Sequence, residues 1–172
     1  MLALDTYRPD QWHDFFVMVG GSAAVLTGLV FVALSLNVEV VTRDATHRYR
    51  AIDTLSGMTG VFVICALALM GGQDNRAVGV EWLVVAALSI AVYVRGYLKA
   101  VRLGGNLDWL RSRRVVVIAA LYLIQLVGSA LLIADEIAGL YVAAVAMVAA
   151  LAFMITAAWL LVVGVMTRES NA

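Results

Sequence analysis

Residues 20–41 read GGSAAVLTGLVFVALSLNVEVV. The stretch is apolar enough to sit in a bilayer, yet glycine, alanine, serine and threonine are threaded through it, and it ends in Asn37 and Glu39. A helix that merely anchors a protein can be built of leucine. Small side chains serve a different end in lipid, where they let helix backbones approach one another closely. Extended back to Val17, the apolar run Val17–Val41 is 25 residues long. About 17–25 such residues cross the hydrocarbon core. That length decides the fold class.

The rest of the chain repeats the pattern. Of 172 residues, 63% are hydrophobic, and the mean hydropathy is +0.95. Soluble domains run at about 45–50% apolar, so a soluble domain with a generous core is excluded. Four further apolar segments follow: Ile52–Met70, Trp82–Leu98, Val115–Ala134 and Leu140–Val165. The third is interrupted by Arg95. Helices satisfy their own backbone groups in lipid, so the expectation is an all-α membrane bundle of five transmembrane helices, one domain over residues 1–172. The opening MLALDTYRPDQWHDFF holds three aspartates and one arginine, the reverse of a signal peptide's basic start, so the chain is expected to stay whole in the membrane. Cys65 is the single cysteine, which rules out an internal disulfide and reads as a small buried hydrophobe.

Formal net charge is zero, but its distribution is uneven. The first loop, the third loop and the C-terminal tail carry nine Lys and Arg residues: Arg43, Arg48, Arg50, Lys99, Arg102, Arg111, Arg113, Arg114 and Arg168. The other side carries two, Arg8 and Arg76. Basic loops stay in the cytoplasm, so the expected orientation is N-out and C-in, in a bacterial cytoplasmic (inner) membrane. Trp12 and Trp82 then fall at the outer interface, where amphipathic rings are favoured.

On a helical wheel of the first segment, His13, Val17, Gly20, Ala24, Thr27, Phe31, Ser35 and Val38 share one side, flanked by Gly28 and Glu39. Large aliphatics such as Val25, Leu29, Val32 and Leu36 hold the other. The small-residue stripe has two readings. It is a packing face between helices, or copies of it line a pore. In the pore, Gly20, Ala24, Thr27, Phe31, Ser35 and Glu39 form the wall, Phe31 the constriction and Glu39 an inner acidic ring. Asp10, His13 and Asp14 form its outer vestibule, a local group able to take up a cation or simply to be solvated.

The run G-G-S-A-A-V-L-T-G-L-V-F-V-A-L-S-L-N, with Trp12, Phe15 and Phe16 before it, resembles the first-helix signature of a family of small bacterial multi-pass membrane proteins. That pattern is W-x-x-F-F, then G-x-S-A-A-x-x-G-L-x-F-V-A-x-S-x-N, and it covers about thirty residues of this chain. Some members carry names suggesting modulators of a membrane-anchored protease, which implies a regulatory role. The stretch A-V-L-T-G-L-V-F-V-A-L-S is also similar to the pore helix of Orai calcium channels, which implies a cation pathway. This chain departs from that family in having five spans instead of four, and Glu39 lies eleven residues beyond Gly28, farther than there.

Arg95, Lys99 and Arg102 share a face at the end of the third segment. They are read as contacts to anionic lipid headgroups, with Arg95 either snorkelling, pairing with Asp53 or Glu39, or serving transport. Asp53 opens the second segment, where a helix N-terminus stabilises an acid. Tyr122, Gln125 and Ser129 line one face of the fourth, with Gln125 expected in an interhelical hydrogen bond near mid-membrane. No catalytic motif, cofactor-binding loop or metal-ligand set occurs in the sequence, so an enzyme is not expected. The basic loops lack the interleaved aromatics of a nucleic-acid site. The sequence thus points to a channel-like, cation-preferring homo-oligomer of about four to six subunits lined by the first helix. The alternative is a non-conducting protein that regulates another membrane protein, a protease or a transporter.

Overall fold

The protein is described here from a computed structural model, which covers residues 9–36, 38, 45–102 and 113–169, with side chains for 11–36, 38, 48–99, 101–102 and 114–159. Among the described residues there are five helices: α1 Pro9–Leu36, α2 Ala45–Ala68, α3 Asn75–Arg102, α4 Arg113–Ile133 and α5 Ala138–Glu169. All five are long and apolar enough to cross a membrane. The expected all-α, five-helix reading holds.

Helix ends follow local chemistry more than hydropathy. Pro9, the single proline, stands at the first position of α1, where its missing N–H costs nothing. α3 begins at Asn75, well before the apolar segment, because Asp74 caps it: the Ala77 N–H donates to Asp74 Oδ1 at 2.8 Å. Trp82 therefore lies two turns inside the helix. It is fully buried, its ring 5.9 Å from that of Phe16, so the expectation of Trp82 at the lipid interface is corrected.

α4 ends in a paired hydrogen-bond pattern. The Glu136 N–H donates to the Leu131 carbonyl at 2.9 Å and the Asp135 N–H to that of Leu132 at 3.0 Å. This is the Schellman arrangement, whose turning residue adopts a left-handed backbone and is usually glycine. Here it is Asp135, with φ of 69°. Its carboxylate compensates: Asn75 Nδ2 donates to Oδ1 at 2.9 Å, and Arg76 Nη2 stands 4.0 Å from Oδ2. The α4–α5 turn is thereby latched to the start of α3.

Helices α2, α3, α4 and α5 form a closed ring in which each packs on the next and α5 returns to α2. α1 lies outside that ring, against α2 and α5. At the end carrying the α2–α3 and α4–α5 turns the packing is tight. A Cβ added to Gly139 would come within 2.5 Å of the Gly128 carbonyl oxygen, and one on Gly79 within 2.9 Å of the Ser129 oxygen. One on Gly20 would meet Cys65 Cβ at 2.9 Å. Glycine is what lets these backbones touch. Phe16, Trp82, Leu132, Leu140 and Met147 fill the space between. Outward, Val25, Leu29, Leu36, Leu88 and Val145 are exposed. Such continuous apolar cover suits a lipid solvent and would be a liability in water.

Gly139→Leu forces the α4–α5 backbones apart. It is expected to cost about 1–3 kcal/mol or more, as core overpacking does, lowering the thermal midpoint in detergent by roughly 2–4 °C per kcal/mol. Gly71→Ala, where an added Cβ meets open space, is expected to leave the midpoint unchanged.

Candidate functional site

Away from the tight end, the α2–α5 ring encloses a cavity of about 70 Å³. Small side chains make the room: Gly57 and Gly60 from α2, Ala86 from α3, Ala146 and Ala150 from α5. Met154 reaches over Gly57, in contact with the position a Cβ would take. Ile64 and Met147, which also line it, are part of the tight core. From Arg114 at one end to Gln125 at the other is eleven residues of α4, about 16 Å of helix. No residue of α1 lines it among the described residues.

Two charged residues line the cavity. Arg114 lays its guanidinium over the Phe153 ring, 5.5 Å from the centroid, and Asp53 lines the same space from α2. The Arg114 charge acts on Asp53, and Asp53 acts in turn on Tyr93 and Tyr122. Among the described residues no direct ion pair joins Asp53 to Arg114. Asp53 also borders a smaller recess with Tyr93, Gly96 and Tyr97, so it stands between two spaces.

Gln125 sits at mid-helix, 7% exposed, and its Nε2 has no hydrogen-bond partner among the described residues. The interhelical hydrogen bond expected of this amide donor is therefore absent there; the neighbouring Ser129 hydroxyl instead donates to the Gln125 backbone carbonyl at 3.0 Å. Arg114 Nε is likewise buried and unpartnered. Ser89 packs directly on Gly60, its Oγ 3.0 Å from where a Cβ on Gly60 would lie, and both residues line the cavity. A buried donor left without an acceptor carries a cost of about 1–3 kcal/mol.

The residues singled out on α1 fall on different sides of it. Gly20 is buried against Cys65, and Thr27 is half-buried, its hydroxyl donating to the Ala23 carbonyl at 2.7 Å. Ala24, Phe31 and Ser35 are exposed, together with Gly21 and Gly28, and Ser35 donates to the Phe31 carbonyl at 2.8 Å. The stripe read from the sequence is therefore split, one edge turned into the bundle and the rest facing outward. Glu39 lies outside the described residues, as does the side chain of Asp10. His13 Nδ1 and Asp14 Oδ1 are 3.3 Å apart and both side chains are exposed. Arg95, Lys99 and Arg102 are exposed on α3. The cation that shares a cavity with Asp53 is Arg114, which the sequence reading had counted only for topology. Its signal was available: Arg114, Tyr122, Gln125 and Ser129 fall along one face of α4.

Among the described residues no group of three or more His, Cys, Asp or Glu side chains converges to hold a metal ion. Comparison with protein-family models, curated proteins and solved structures gives no match to this chain.

Replacing Gln125 by leucine removes the unpartnered donor at nearly constant volume. The thermal midpoint of Gln125→Leu in detergent is expected to match or exceed that of the wild type by roughly 2–4 °C. A fall of several degrees would mean that Nε2 is satisfied after all.

Proposed function

We propose that this chain acts as a channel-like homo-oligomer in which α1 faces the symmetry axis and lines a cation-preferring pathway. The observation that supports the reading is the outward face of α1. Val17, Gly21, Ala24, Gly28, Phe31 and Ser35 follow one another in steps of four and three, and all are exposed in the single chain. That is the spacing of a helix–helix seam, and an added Cβ at Gly21 or Gly28 would meet nothing. Lipid does not require glycine, whereas a second α1 at close range does. In a ring, Phe31, 63% exposed, forms the narrowest apolar constriction, and hydrophobic constrictions gate by dewetting. His13 and Asp14, both exposed, stand at one mouth of this pathway.

A second reading has its own support. The Ser35 and Thr27 hydroxyls are already spent on backbone carbonyls of α1, which leaves a seam suited to a partner helix as much as to water. In that case the protein is a non-conducting regulator of another membrane protein. The first-helix resemblance to small bacterial multi-pass proteins and to the Orai pore helix stays part of the proposal, as does the N-out, C-in orientation in the inner membrane.

Native mass spectrometry of the detergent-solubilised protein is expected to give a defined ring of about four to six subunits, and Gly28→Leu is expected to dissociate it. In liposomes, Phe31→Ala is expected to raise cation leak. A monomer with unchanged leak overturns the pore, and a co-purifying partner favours the regulator. Orientation is checked by cysteine labelling in a Cys65→Ser background, which is clean because Cys65 is the single, fully buried cysteine. A cysteine at Gly72 is expected to react from outside and one at Arg102 from the cytoplasm.

A further inference from the structure

Arg95, Lys99 and Arg102 belong neither to the cavity nor to the α1 seam. They follow one another on α3 in steps of four and three, so they share a face, and all three are exposed. Leu88 and Val92, also exposed, continue that face toward the middle of the helix in the same steps. The stripe is therefore apolar at one end and cationic at the other. From Leu88 to Arg102 is fourteen residues, about 21 Å of helix. One bilayer leaflet, hydrocarbon and headgroups together, is about 20–22 Å deep.

The protein does not balance these charges. Among the described residues none of the three makes an ion pair. Asp53, which the sequence offered to Arg95, interacts with the charge of Arg114, and Glu81, the single acid of α3, stands fourteen residues from Arg95. Cations three and four residues apart on a helix repel one another. Lys99 and Arg102 have other reasons to be where they are, since basic residues at a helix C-terminus suit its dipole and fix topology. Arg95 has no such reason. It lies inside the apolar span Asn75–Lys99, a turn before the end, where an unpaired charge is costly. Its route to water along that face passes Lys99, a like charge one turn on. An anion arriving from outside the protein relieves Arg95 and the repulsion together. The recess beside the stripe is lined by Val92, Tyr93, Gly96 and Tyr97, but also by Asp53, which opposes an anion there and leaves the exposed stripe to hold it.

We propose that the Leu88, Val92, Arg95, Lys99 and Arg102 face of α3 is a binding site for an anionic glycerophospholipid, with its phosphodiester between Arg95 and Lys99 and an acyl chain over Val92 and Leu88. Charge and apolar surface then occur in the order in which the lipid presents them. Guanidinium and ammonium groups both recognise phosphate, the first through a fork of donors and the second as a point charge. A zwitterionic lipid offers the same phosphate and chains but adds an ammonium that this face repels. The site therefore selects headgroups of net negative charge, and it does so whether or not α1 lines a pathway.

The test is native mass spectrometry of the full-length protein in a neutral detergent, titrated with phosphatidylglycerol or with phosphatidylcholine of the same acyl chains. The wild type is expected to retain phosphatidylglycerol at activation energies that strip phosphatidylcholine. Arg95→Gln and Lys99→Gln are each expected to weaken phosphatidylglycerol binding roughly fivefold in protein that melts as the wild type does, and Arg95→Lys to keep most of the affinity. The deciding variant is Arg95→Gln combined with Val94→Arg. It preserves net charge and depth but turns the cation about 100° around the helix, and it is expected to bind no better than Arg95→Gln alone. Excess inorganic phosphate is expected not to displace the lipid. Three results overturn the proposal. Equal retention of the two lipids means that only annular lipid is present. Wild-type binding by the double variant means that net charge acts without a site. Displacement by inorganic phosphate means that the stripe binds free phosphate and not a lipid.

Discussion

The α5 backbone passes that of α4 at Gly139 and Gly128 so closely that no Cβ fits between them. Gly79 of α3 rests on the Ser129 carbonyl in the same layer. Without water to drive association, helices in lipid are held by this kind of close backbone and side-chain packing. The approach fixes where α4 and α5 cross, and the Asp135 carboxylate then ties their turn to Asn75 at the head of α3. Tight packing at one end has a counterpart at the other. The same four helices, carrying glycine and alanine at positions with no backbone opposite, enclose a cavity instead.

The hydroxyls of Ser129 and Thr27 are spent on carbonyls of their own helices, which is the least demanding way to satisfy them in lipid. Gln125 Nε2 and Arg114 Nε, on two residues that line the cavity, and Trp82 Nε1 in the tight core are buried with no hydrogen-bond partner among the described residues. An unpartnered donor in hydrocarbon is destabilising, so its retention needs an occupant or a solvent to repay it. The cavity and the outward face of α1 are separate features. One is built by α2–α5 and the other by the helix outside their ring.

The fold was legible because hydropathy and length are local properties. Five apolar segments gave five helices, and Cys65 was read correctly as a buried hydrophobe. Helix starts were less legible. The Asp74 cap starts α3 two turns ahead of its apolar segment, and Trp82 packs in the core beside Phe16. Capping competes with hydropathy at every helix end, and a window of apolar residues does not register it. The α1 stripe was legible as a pattern but not as a surface. Gly20 and Thr27 turned toward α2 and the bundle while Ala24, Phe31 and Ser35 turned away, and a helical wheel has no means of telling which arc a neighbour will cover.

What the sequence determined by itself is the secondary structure: five helices long and apolar enough to cross a membrane, because each such segment must satisfy its own backbone whatever its neighbours do. What the tertiary structure decided is who meets whom. Asp53 shares a cavity with Arg114, while Arg95 is left on the outer surface. Gln125 faces an open space and finds no partner helix for its amide. Those outcomes depend on which helices close the ring and at which glycines they touch, and contacts between residues sixty positions apart in the chain leave no periodic trace in it.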